Sequence, residues 1–79
     1  MHDTPKIHAG SLIKAELKRQ RKTTVWLAEQ LGYTRMNVYK VYRRSWISTD
    51  LLIRISIILH VDFFALISEM LNQNKSVNK

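Results

Sequence analysis

Apolar residues recur along this chain in helical steps of three and four, and most legibly over TVWLAEQLGYTRMNVYKVY, Thr24 to Tyr42. Leu27 and Leu31 mark the inward side of one helix, Thr24 to Leu31; Val38 and Val41 mark that of a second, Arg35 to Tyr42. Between them Gly32 stands where a helix end takes up a left-handed residue, a conformation that only glycine adopts without penalty. Tyr33 adds an inward ring, and Thr34 can cap the second helix by accepting from a free amide of its first turn. Ala28, one turn before Gly32, is small enough to let the second helix cross closely over the first.

The same spacing predicts three further helices. Ser11 is placed to cap a first one running to about Arg21, with Leu12, Ile13 and Leu17 inward and Lys14, Lys18 and Arg19 outward. Thr23 caps the second. Ser48 or Thr49 caps a fourth, from about Asp50 to Leu59, whose core stripe is Leu51, Leu52, Ile55, Ile58 and Leu59. Ile53 and Ile57 fall on its other side and are expected to be covered in a sandwiched helix; the alternative is a face offered to a partner. Asp62 caps a fifth helix with Phe63, Leu66, Ile67, Met70 and Leu71 buried, Phe64 beside them, and Val61 as a staple onto Leu66. Trp46 reads as a lid over the core together with Ile47, or else as a contact across a dimer axis.

Around this folded stretch, 10–71, the pattern fades. Residues 1–9, with Pro5 opposing helix, predict a flexible arm, and residues 72–79, without apolar periodicity, a disordered tail. The class is all-α, in one small domain of 79 residues that can hold one modest core.

If Val38 and Val41 turn inward, steps of about 100° per residue gather Arg35, Met36, Tyr39 and Lys40 on the outer face of the Arg35–Tyr42 helix, with Asn37 on its flank. Two cations among hydrogen-bonding donors suit the edges of base pairs in a DNA major groove. Arg43 and Arg44 follow in a basic loop and are candidates for phosphate contact, as are Thr24 and Thr34 at the starts of their helices, where amides favour anions.

These residues carry a resemblance. Ala28, Gly32, Val38 and Val41, the phrase WLAEQLG…NVYK and the later STDLLIRIS together resemble the helix-turn-helix of the phage repressor and Cro family, the xenobiotic-response-element class of bacterial regulators. The likeness spans roughly Ser11 to Leu71 and implies a compact five-helix bundle of lambda-repressor-like type, reading DNA with Arg35 to Tyr42. It further implies that Arg35, Met36 and Lys40 face bases, with Asn37 and Tyr39 on bases or the adjacent backbone. Met36 departs from the polar residues frequent at its place, and so is expected to meet a thymine methyl or to pack. The family often has glycine where Arg21 stands, which predicts a less sharp turn after the first helix here.

Charge supports a polyanionic partner. The net charge is +7, and its distribution is uneven: residues 6–44 hold ten lysines or arginines against Glu16 and Glu29, whereas residues 45–71 hold Arg54 against three acids. The run Lys18, Arg19, Arg21, Lys22 complements the carbonyl end of its helix and serves equally as a solvated surface or a phosphate contact.

Other chemistries find little material. There is no cysteine, hence no disulfide and no zinc site of the common cysteine type. His2, Asp3 and His8 fall in the arm, no nucleophile motif or glycine-rich phosphate loop is present, and neither an enzyme nor a cofactor, metal or small-molecule ligand is expected. Leu51 to Leu71 has fifteen apolar residues in twenty-one, but Arg54, His60, Asp62 and Glu69 interrupt it. Burying Arg or Asp near a bilayer centre would cost about 2.5–3.5 kcal/mol each, so no membrane span is expected. The start lacks the apolar run of a signal peptide, which predicts a cytoplasmic protein.

The expected function is a sequence-specific regulator of transcription bound to double-stranded DNA, a repressor, acting as a weak or DNA-dependent homodimer on a palindrome. The rival from another class is a protein-interaction adaptor or antitoxin that uses the same fold to bind a protein through Ile53, Ile57, Phe64 or Trp46.

Overall fold

A computed structural model describes residues 7–77, and these form five α-helices with no strand among them. The helices are α1 (Ala9–Arg19), α2 (Thr24–Leu31), α3 (Arg35–Tyr42), α4 (Thr49–Leu59) and α5 (Phe63–Val77). Residues 1–6 of the expected arm, and residues 78–79 of the expected tail, lie outside the described residues.

Polar caps start each helix. Thr23, Thr34 and Ser48 accept from the amides of Trp26, Asn37 and Leu51, and Asp62 Oδ1 accepts from Ala65 N at 3.0 Å. The first helix departs from expectation. Its cap is His8 rather than Ser11, and it begins at Ala9, which is buried, so the arm expected over 1–9 gives way to core before its end. His8 Nδ1 accepts from both the amide and the hydroxyl of Ser11, at 3.1 and 2.8 Å, as a short polar cap would.

Helices α1, α2 and α4 end alike, each closed by a left-handed residue and a paired set of backbone bonds. After α2 this residue is Gly32 (φ 73), with Tyr33 N donating to Ala28 O at 2.8 Å. Arg21 (φ 60) and His60 (φ 57) do the same without glycine's freedom. The turn after α1 is thus as sharp as a glycine would make it, against expectation: Lys22 N donates to Leu17 O and Arg21 N to Lys18 O, and these bonds hold the arginine in place.

Inside, Ile13, Leu17, Leu27, Ala28, Leu31, Val38, Val41, Ile47, Leu51, Leu52, Ile55, Leu59 and Phe63 form one apolar core with Ala9. No polar or charged residue is buried with them among the described residues. Fully covering Phe63, Ile13 or Leu27 contributes roughly 1.5–3 kcal/mol each.

Three apolar expectations are corrected. Ile53 and Ile57 are not sandwiched: both are exposed, because α5 turns away from α4 by 106° and leaves that side uncovered. Trp46 is 82% exposed and lids nothing, while its neighbour Ile47 turns in. Leu71 is exposed as well, since the far part of α5 runs beyond the core, and the helix continues to Val77 into the stretch expected to be disordered. With neither glycine nor proline between Asn72 and Val77, nothing there breaks the backbone ladder. No single described helix is long and apolar enough to cross a membrane; α4 and α5 reach that length only as the bent pair.

Candidate nucleic-acid interface

Helix α3 has one covered side and one open side. Val38 and Val41 are buried, and Arg35, Met36, Asn37, Tyr39 and Lys40 are all exposed, Met36 at 66%. The structure thus brings the five candidate base-reading residues to one surface. Tyr39 is steadied there by an edge-to-face contact with Tyr42, ring centroids 6.0 Å apart. Thr34 caps the helix with its oxygen, which leaves its hydroxyl proton free to donate outward.

Besides its buried valines, α3 is held in place by the start of α1. The amides of Ala9 and Gly10 donate to the carbonyls of Ser45 and Arg44, at 3.2 and 2.9 Å, so the positive end of one helix meets the carbonyl-rich end of the other. His8 spans the same joint: its Nδ1 is occupied by Ser11, and Nε2 reaches Arg43 O at 3.2 Å, a pattern that requires the Nε2-protonated tautomer. A side chain at Gly10 would collide with the carbonyls of Val41 and Tyr42. His8 and Gly10 are the positioning residues that reading the chain alone missed; the glycine was visible as one of only two, but its neighbours were not.

The phosphate candidates divide. Arg43 and Arg44 are exposed just past α3, their carbonyls engaged with α1 and their guanidinium groups open. Thr24 is half-buried, and its hydroxyl shares a 3.0 Å hydrogen bond with the Tyr42 phenol. Burial pushes that phenol above its ordinary value and keeps it neutral. Thr24 therefore also ties α2 to α3.

Two hollows flank the open side. One, of about 330 Å³ between α3 and α4, is lined by Tyr33, Asn37, Lys40 and Arg44. The other, of about 250 Å³, lies where α1, α2 and α3 converge and is lined by Lys14, Lys18, Lys22, Thr24, Tyr39 and Tyr42. Arg54, the single cation of the acidic half, is used internally and donates to Leu31 O at 3.0 Å, at the carbonyl end of α2. On α4 and α5, Ile53, Ile57 and Phe64 make an apolar surface around an open hollow, and Trp46 and Leu71 border a second, more enclosed one.

Among the described residues, no group of three histidines or acids is arranged to hold a metal. Compared with models of protein families, with curated proteins and with solved structures, the chain finds no match.

Proposed function

We propose that this chain is a sequence-specific double-stranded DNA-binding regulator of the phage repressor and Cro kind, with α3 laid in the major groove. One observation carries the reading: Arg35, Asn37, Tyr39 and Lys40 all stand on the exposed side of α3, and its two apolar anchors are buried. In this reading Arg35 pairs with a guanine edge, worth about 1–3 kcal/mol of discrimination. Lys40 and Asn37 share the groove, Tyr39 meets a base or sugar, and Met36 meets a thymine methyl. Arg43, Arg44, Thr24 and Thr34 donate to phosphates and set the register. One such helix reads only a few base pairs, so two copies act together on a palindrome with half-sites about one helical turn apart, and the regulated outcome is repression.

Selection of fragmented genomic DNA by the purified chain, at near-physiological salt, tests this. A palindromic motif should be enriched, and replacing Arg35 and Lys40 by alanine should abolish or change it. An unchanged motif would overturn the assignment of the reading side.

A second reading is favoured by the uncovered apolar surface of Ile53, Ile57 and Phe64: an adaptor that binds a protein there. Lys40→Glu separates the two, since it should collapse DNA binding and leave protein binding intact.

A further inference from the structure

The cation run that closes α1 is of two kinds in the fold. Arg19 turns back onto its own helix and donates from Nε to both oxygens of Glu16 at 3.0 Å; among the described residues this is the one ion pair. Lys18 and Lys22 instead line the hollow between α1, α2 and α3, together with Lys14 from the middle of α1. Lys14 and Lys18 are one turn apart on α1, and the sharp turn at Arg21 brings Lys22 to the same hollow.

Two of these lysines are anchored on aromatic rings. Lys22 Nζ lies 4.8 Å from the centroid of Trp26, and Lys14 Nζ lies 5.9 Å from that of Tyr42. Neither contact neutralises a charge. Three positive groups therefore converge on one hollow that no carboxylate lines, with the hydroxyls of Thr24 and Tyr42 beside them. Tyr39 forms part of the same wall and also stands on the open side of α3. The hollow is continuous with the reading surface.

We infer that this lysine hollow seats backbone phosphates of the DNA bound by α3, so that the footprint extends past the reading helix onto α1. The inference rests on the proposed DNA reading and deepens it: specificity lies in α3, and a share of the sequence-independent affinity lies in Lys14, Lys18 and Lys22. Arg19 and Arg21, in the same run, take no part.

The test is the salt dependence of binding to the selected DNA, for the parent chain, for Lys14→Gln with Lys18→Gln, and for the charge-matched pair Arg19→Gln with Arg21→Gln. Removing one lysine–phosphate pairing should make the slope of log affinity against log salt shallower by about 0.9, so the lysine pair should reduce it by about 2. The selected motif should not change, and the arginine pair should leave the slope within error of the parent. A parent slope kept by the lysine variant would overturn the hollow while leaving the DNA reading standing. Equal reductions in both variants would also overturn it, because bulk charge alone would then explain the effect. No binding by the parent would overturn both readings. Thermal unfolding of each variant excludes a folding defect, since all four side chains are exposed.

Discussion

Gly10 owes its place to space rather than to φ. Its helix backbone sits against the Val41 and Tyr42 carbonyls so closely that a methyl group has nowhere to go. Gly10→Ala should destabilise the fold by about 1–3 kcal/mol through displaced backbone, measured by chemical denaturation. It should also weaken DNA binding, since α3 would have to move. Arg21 is the opposite case, an L-residue held at φ 60 by the bonds around it. A left-handed L-residue costs roughly 1–2 kcal/mol, so Arg21→Gly should raise stability by about 1 kcal/mol after the extra freedom of the unfolded glycine is subtracted. A loss of stability on the same denaturation curve would show that the arginine side chain contributes more than its backbone costs.

Between elements, Glu16 and Gln20 form a small relay from α1 to α4. Gln20 Nε2 donates both to Glu16 Oε2 at 2.7 Å and to Leu59 O at 2.8 Å. The Arg19 guanidinium holds the Glu16 carboxyl below the usual carboxylate range, with Gln20 adding to the effect. A depressed value in the folded state means that the unfolded chain takes up the proton more readily. The contribution is therefore present above the ordinary carboxylate value and is lost as pH falls through the folded one. Thermal midpoints of the parent and of Glu16→Gln should differ near pH 7 and draw together as pH falls below the ordinary carboxylate value. A constant difference would mean that the carboxyl acts by shape alone. The helices and most caps were legible along the chain because period, Thr23, Thr34, Gly32 and Ser48 are local signals. The start of α1 was not, since His8 acts as cap while bonded to Arg43, distant in the chain. Nor was the fate of Ile53 and Ile57: α4 carries two apolar stripes, and only the turn between α4 and α5 decides which is covered. The outer side of α3 was readable because two buried valines suffice to orient eight residues. The lysine hollow needed three helices to converge.

For the molecule as a whole, cations and apolar surface are unevenly distributed along the helices. The exposed cations are concentrated on α1, α3 and the loops after them, while exposed Ile53, Ile57, Phe64 and Trp46 lie on α4, α5 and the loop before them. A chain that reads half a palindrome needs only weak self-association if DNA brings two copies together. Sedimentation of the free chain should give a monomer at micromolar concentration, and titration onto the selected palindrome should saturate at two chains. Saturation at one chain would remove the dimer from the proposal. Trp46→Ala should shift the unfolding free energy by no more than about 0.5 kcal/mol, as expected for an exposed side chain. A large loss would place Trp46 in the fold after all.

The joint between His8 and Arg43 spans 35 positions of the chain. Its closure joins the two ends of 8–45: His8 and the first amides of α1 add a long-range tie to the core packing of Val38 and Val41 that seats α3. Amide hydrogen exchange should therefore report α1 and α3 as a single opening unit, their slowest protons released together, while the far turns of α5 exchange independently and first. A fragment beginning after α1 would retain every residue proposed to read bases and lose the framework that aims them.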